Sequence, residues 1–148
     1  MSTKTTYLWI ADMLSRILLA AVFLYASWSK IQDPALFMDA IRSYQMHLPE
    51  ILVAWVAIVL PPTEAVVACA LVATKRARES AVLVCAMLLV FLFGLTQAWI
   101  RGLEISCGCF GPDAGEAAPL WLDILRDLAL LVPAVWLTFR PNRWLFGR

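Results

Sequence analysis

Long runs of apolar residues, separated by short polar stretches, dominate the chain. Four runs are about 20 residues long, the length at which a helix crosses a hydrocarbon core of about 30 Å. They cover residues 7–29, 51–74, 80–100 and 120–139. The third run has no charged residue, and the others have one to three. This pattern predicts an all-α integral membrane protein in which four transmembrane helices form a bundle.

Composition supports a single membrane-embedded domain over residues 1–148. Hydrophobic residues make up 62% of the chain and charged residues only 16%, and a soluble bundle would need polar stripes that the third run lacks. The first run is too long for the core of a cleaved signal peptide, the alternative interpretation. A net charge of +1 gives no indication of a nucleic-acid partner. The expected surroundings are therefore a lipid bilayer.

The tryptophans and the basic residues predict how the chain sits in the membrane. All seven tryptophans lie near the ends of the runs or in the tail, where amphipathic rings favour the headgroup region. Seven Lys and Arg residues lie on the side of the two termini, and three lie on the other side. By the positive-inside rule both termini are cytoplasmic. In a bacterium the protein would then lie in the inner membrane, with its other loops in the periplasm.

The connector after the first run contains a helix-start signal. Asp33 provides a side-chain cap, Pro34 fixes the first helical turn, and apolar residues follow at helical spacing from Phe37. This predicts a short amphipathic periplasmic helix between the first two spans, which serves as a connector over the bundle or as a lid or docking surface.

Two cysteines separated by one glycine lie between the third and fourth runs, at Cys107, Gly108 and Cys109. Exposed periplasmic cysteines are normally paired, and a one-residue gap permits a disulfide only where the backbone turns sharply, as Gly108 allows. So small a ring is strained, and strained, accessible disulfides are the labile, catalytic ones. The pair therefore favours thiol–disulfide exchange through Cys107 and Cys109.

Other interpretations of the cysteine pair stay open. Thiolates also bind soft metals such as copper(I), so a non-enzymatic membrane subunit could use the loop to capture metal or to dock a partner. The pair could also be a structural clip for the loop. A closed zinc site is not indicated, because His47 is the only histidine and lies in another loop. No metal site is assigned.

Glu64 is the only charged residue of the second run and follows Pro61 and Pro62 directly. The prolines lack amide donors and should kink the helix beside the carboxylate. A carboxylate near the middle of a membrane is costly and marks function or points into the bundle. It is interpreted either as a proton acceptor or quinone contact, or as a structural group neutralised by Arg16 or Arg126.

The two intramembrane arginines each lie close to an aspartate on the same helix. Arg16 follows Asp12 by one turn, and Arg126 lies between Asp123 and Asp127, so ion pairs are the simplest expectation. Arg126 also lies on the side of the cysteine loop, where a cation could stabilise a thiolate during exchange. It is therefore a candidate catalytic residue.

Cys69 and Cys85 lie inside the second and third runs, each six residues from the charged cytoplasmic turn. Their shared depth permits a relay of electrons through a second thiol pair. Core packing is the favoured interpretation, because a cysteine buried in apolar surroundings is unreactive.

Taken together, these features resemble the DoxX-like membrane proteins, most closely the MauE branch, over most of the chain. The residues that carry the resemblance are Arg16, Lys30, Asp33-Pro34, Phe37, Tyr44, Leu60-Pro61, Glu64, Arg101-Gly102, Cys107-Gly108-Cys109-Phe110-Gly111 and Arg126-Asp127. MauE-like proteins are linked to periplasmic disulfide formation during maturation of methylamine dehydrogenase, beside a thioredoxin-like partner. Other DoxX-like proteins are linked to quinone or to thiol and oxidative-stress systems. The residues themselves do not indicate methylamine metabolism.

The sequence thus predicts a membrane thiol:disulfide oxidoreductase, or a redox partner of one. Cys107 and Cys109 would exchange disulfides with a periplasmic thioredoxin-like protein, and Glu64 and Arg126 are the further candidate site residues. Because the chain has no cofactor motif of its own, a membrane quinone is the economical electron acceptor. The competing class is the non-enzymatic or copper-handling subunit.

Overall fold

The computed structural model describes residues 3–73, 77–103, 105 and 119–139, with side chains from residue 6 onward. These residues form five α-helices and no strand, which confirms the all-α prediction. The helices are α1 (Thr3–Gln32), α2 (Pro34–Ser43), α3 (Glu50–Ala73), α4 (Ala77–Ile100) and α5 (Leu120–Thr138).

Within the described part of the chain, three helices are long and apolar enough to cross a membrane: Thr6–Gln32, Glu50–Ala73 and Ala77–Ile100. They make this a multi-pass membrane protein. Helix α5 differs, because Asp123, Arg126 and Asp127 lie in its first half. Its 19 residues have a length of about 28 Å.

Helices α1, α3, α4 and α5 share one apolar core. Each contributes three buried residues to it, one of which is an alanine that lets the backbones approach closely. The core residues are Leu19, Ala20, Phe23, Val67, Ala68, Leu71, Ala81, Val84, Leu88, Leu130, Ala134 and Leu137. Packing is most extensive between α4 and α5 and between α1 and α3.

The long helices alternate in direction. Asp12, early in α1, hydrogen-bonds to Trp136, late in α5, whereas Lys30 at the end of α1 lines a cleft with Asp127 from the first half of α5. The two helices are therefore antiparallel. It follows that the end of α1, the beginning of α3, the end of α4 and the beginning of α5 lie at one end of the molecule. We call it the α2 end, because α2 connects α1 to α3 there.

Helix α2 begins as the sequence predicts. The Asp33 side chain accepts a hydrogen bond from the Leu36 amide at 2.9 Å, and Pro34 is the first helical residue. Phe37 is buried and attaches the helix to the rest of the protein. The helix ends at Ser43, whereas the apolar residues at helical spacing in the sequence continue beyond it.

The connector after α2 is held at both of its ends. Arg42 forms a 2.7 Å ion pair with Glu50, the first residue of α3. The hydrogen bonding within this pair raises the pKa of the Arg42 guanidinium. Arg101, just past α4, donates to the Gln45 carbonyl at 3.1 Å. These contacts hold α2 and its connector against the ends of α3 and α4.

Helix α3 continues through Pro61 and Pro62 without a break. The buried Ser27 hydroxyl on α1 donates to the Pro61 carbonyl at 2.7 Å, which ties the two helices together at the prolines. The predicted kink stays a prediction.

Candidate functional site

Cys107 and Cys109 lie outside the described residues, but the chain on both sides of their segment is described. Gly102 adopts a left-handed φ of +66°, which ends α4 and which favours glycine at this position. Ile105 is buried against a small apolar cluster that includes Leu120, the first residue of α5. The described residues on the two sides of the cysteine segment therefore lie at the α2 end.

A buried ion pair joins α1 to α3 near this end. Lys30 Nζ lies 2.5 Å from Glu64 Oε1, and both side chains are about 1% exposed. Removing two charges from water is costly, so the pair is stable only because each charge neutralises the other. Glu64 therefore faces the interior, as predicted for a carboxylate that points into the bundle.

The expectation that Arg16 or Arg126 neutralises Glu64 is wrong, since Lys30 is its partner. Helix α1 extends beyond the predicted end of the first span to Gln32, which makes Lys30 a helical residue. Long side chains on a helix point back toward its N-terminus, so the Lys30 ammonium reaches inward to the carboxylate. The sequence does contain one signal for this ion pair, namely a lysine at the end of an apolar run.

Two aromatic rings complete the surroundings of Lys30. Its ammonium lies 5.4 Å from the centroid of Phe37 on α2 and 5.2 Å from that of Phe91 on α4. Both distances are within the range of cation–π attraction, which is stronger where water is excluded. Lys30 thus contacts three other helices through Phe37, Glu64 and Phe91.

Arg126 forms ion pairs with both neighbouring aspartates. Its Nη1 lies 2.8 Å from Asp123 Oδ1, and its Nη2 lies 3.2 Å from Asp127 Oδ1. This confirms the predicted pairing. Since two carboxylates share the one guanidinium, less of its positive charge is left for a thiolate.

The two ionic groups meet in one cleft, which Lys30, Glu64, Arg126 and Asp127 all line. With Asp123, the group contains two cations and three carboxylates. Among the described residues, Glu64 Oε2 is buried and accepts no hydrogen bond. The arrangement therefore offers an open acceptor that can bind a proton or a hydrogen-bond donor.

A second cavity, of about 350 Å³, lies beneath α2 and between α3 and α4. Its lining is almost entirely apolar and includes Phe37, Tyr44, Leu60 and Phe91. Lys30 lines this cavity as well as the charged cleft, so it forms part of the wall between them. We call it the α2 cavity. An organic ligand fits such a lining.

A separate polar contact joins α1 and α5 at the opposite end of the molecule. Trp136 Nε1 donates to Asp12 Oδ1 at 2.9 Å, and Asp12 also attracts the buried Arg16, as their spacing predicts. No local sequence pattern indicates the tryptophan contact, because the two residues are 124 positions apart. Asp12 is about 27 Å from Lys30 along α1, so this contact is distinct from the cleft.

Cys69 and Cys85 have different surroundings. Cys85 is partly buried against the shared core, as core packing predicts. Cys69 is exposed on α3, so core packing is wrong for this residue. Its position along α3 places it on the outer face of the helix, away from the core residues Val67, Ala68 and Leu71. Both thiols are free.

Comparisons with known proteins support the resemblance to MauE that the sequence indicates. A family profile described as "Methylamine utilisation protein MauE" matches residues 5–140. The methylamine utilization protein MauE of Paracoccus denitrificans is 39% identical over 121 residues, which cover 81% of this chain and 64% of the relative. This chain thus spans less than two thirds of that relative's length. No solved structure matches this chain. The resemblance to MauE is confirmed, and the wider DoxX-like resemblance stays a prediction.

Proposed function

Because the chain belongs to the methylamine utilisation protein MauE family, we propose that it is a membrane thiol:disulfide oxidoreductase that acts in methylamine utilisation. Cys107 and Cys109 exchange disulfides with a thioredoxin-like protein in the periplasm. The observation that carries the proposal is the Cys-Gly-Cys sequence, because a disulfide across one residue is strained and readily donated.

The exchange is balanced in thiols and electrons. A partner thiolate attacks the Cys107–Cys109 disulfide and forms a mixed disulfide, and one cysteine of the pair leaves as a thiolate. The second partner thiolate then displaces the other cysteine. The partner leaves oxidised, and the pair holds the two electrons as a dithiol. A membrane quinone takes these electrons and two protons, which restores the disulfide and gives a quinol.

The proposed topology has four spans in the bacterial inner membrane, with both termini cytoplasmic and the cysteine segment periplasmic. The fourth span is α5, whose three charged residues are paired with one another and whose two aspartates are buried. The ratio of basic residues, seven to three, supports the orientation. The α2 end would then face the periplasm, where a thioredoxin-like partner can reach it.

Glu64 is proposed to accept protons released in the exchange. Its support is the buried Oε2, which has no hydrogen-bond donor among the described residues, in a cleft that Asp127 also lines. Arg126 is proposed to stabilise a thiolate. Its pairing with Asp123 and Asp127 weakens that effect, so the geometry favours Glu64 as the more important group.

Oxidation of a reduced thioredoxin-like protein by purified protein in lipid nanodiscs tests this function. Cys107→Ser and Cys109→Ser should each abolish multiple turnover, because neither variant can re-form the disulfide. Cys69→Ser and Cys85→Ser are matched controls, since they also remove one thiol, and they should keep full activity. If both loop variants keep full activity, the redox role is wrong, and docking or copper(I) capture through this loop takes its place.

A further inference from the structure

We propose that the α2 cavity binds the ring of a membrane quinone, with Lys30 as the donor to one ring carbonyl. This rests on the proposed function, in which a quinone accepts the electrons of the Cys107–Cys109 dithiol. It adds the place where the quinone binds and the residues that recognise it.

The size and lining of the cavity fit a flat, apolar ring. Its volume of about 350 Å³ lies within the range of about 300 to 1,000 Å³ that is typical of small-molecule sites. Phe37, Tyr44 and Phe91 offer aromatic surfaces to such a ring. Val90, on the wall formed by α4, is 69% exposed on the outer surface of the protein. A lipid-soluble molecule can therefore enter from the bilayer, and its apolar tail can remain there.

The charges favour a neutral oxygen acceptor over an anion. Among the described residues, Lys30 is the one charged residue in the lining. Its ammonium has three hydrogens, so its ion pair with Glu64 leaves donors for a ligand. Glu64 already neutralises the ammonium, so a fatty-acid carboxylate would bring a second negative charge to a single cation. A quinone carbonyl accepts a hydrogen bond without adding charge.

The position of Lys30 also connects the cavity to a source of protons. Reduction of a quinone to a quinol consumes two electrons and two protons, and the dithiol supplies both when it closes to a disulfide. Lys30 lines the α2 cavity on one side and the charged cleft on the other. A proton that Lys30 gives to the quinone oxygen can be replaced from the cleft, where Glu64 Oε2 is available to bind one.

Binding of a short-chain ubiquinone to purified protein in lipid nanodiscs tests the site. Gly94→Leu should fill the cavity, because a Cβ at this position would already lie 3.5 Å from the Tyr44 ring. It should weaken binding at least tenfold. Lys30→Met should weaken it by about tenfold, which is the loss of one hydrogen bond from a charged donor. Val66→Leu, on the exposed surface of α3 and outside the cavity lining, is the matched control and should bind as the wild type does.

Single-turnover oxidation of a dithiol partner, in the absence of quinone, separates this proposal from the proposed function. Weaker quinone binding in Gly94→Leu with single-turnover exchange intact supports the site. Equal binding in wild type and Gly94→Leu, or no saturable binding at all, overturns the site, whereas the proposed function stands if exchange persists. Quinone binding without any exchange would overturn the function and leave the site. If Gly94→Leu does not fold, Leu60→Phe fills the same cavity from α3.

Discussion

Lys30 and Glu64 form an ion pair in the interior of the protein, with 2.5 Å between Nζ and Oε1, and neither side chain reaches the surface. The pair connects the last turn of α1 to the middle of α3, beside the position where Ser27 binds the Pro61 carbonyl. Two interhelical contacts with polar groups therefore lie within about one turn of each other. This explains how a membrane helix tolerates a carboxylate far from either end.

Lys30→Met should lower the free energy of unfolding by about 3–5 kcal/mol, because it leaves the Glu64 carboxylate buried without a counter-charge. The measurement is denaturation of the purified protein in detergent micelles. A double variant, Lys30→Met with Glu64→Leu, is the control, since it replaces the ion pair by apolar groups. It should recover most of the stability. If the double variant is no more stable than the single one, the Lys30–Glu64 pair does not explain the loss.

Trp136→Phe should lower the free energy of unfolding by about 1.5–3 kcal/mol, the usual effect of losing a hydrogen bond to a charged group. A smaller aromatic ring replaces the indole, and the Nε1 donor to Asp12 is removed. Trp55→Phe is the matched control, because Trp55 is 62% exposed on α3, and it should change stability by much less. Equal effects of the two substitutions would show that the Asp12–Trp136 hydrogen bond does not stabilise the packing of α1 on α5.

A membrane-impermeant thiol reagent should label Cys107 and Cys109 in intact cells after reduction, because the basic residues predict a periplasmic loop. The experiment is best made with Cys69→Ser and Cys85→Ser combined, so that only the loop cysteines can react. Labelling that appears only after the inner membrane is opened would place the loop in a reducing compartment. That result would remove the proposed role in periplasmic disulfide exchange.

The helices could be predicted from the sequence because their signals are local. A run of about 20 apolar residues is enough to indicate α3 or α4, and the capping pattern at Asp33 and Pro34 marks the start of α2. The pairing within α5 was predictable for the same reason, since Arg126 lies within one turn of both aspartates.

The contacts between helices could not be predicted in the same way, because they depend on how the helices pack. Lys30 and Glu64 are 34 positions apart, and Asp12 and Trp136 are 124 apart, so no local pattern relates them. The partner of Glu64 was also missed because the predicted first span ended one residue before Lys30. The α2 cavity arises only when α2 and its connector lie over α3 and α4.

The central claim, that Cys107 and Cys109 exchange disulfides, is tested most directly by trapping the mixed disulfide. Each single serine variant is expressed in the native host, thiols are blocked by acid quench and alkylation, and the covalent adduct is identified by mass spectrometry. The two cysteines have different roles in exchange, so one variant should accumulate an adduct with a thioredoxin-like periplasmic protein and the other should not. The adduct should disappear on reduction. Absence of any reducible adduct in both variants, together with unimpaired partner oxidation in cells, would contradict the account.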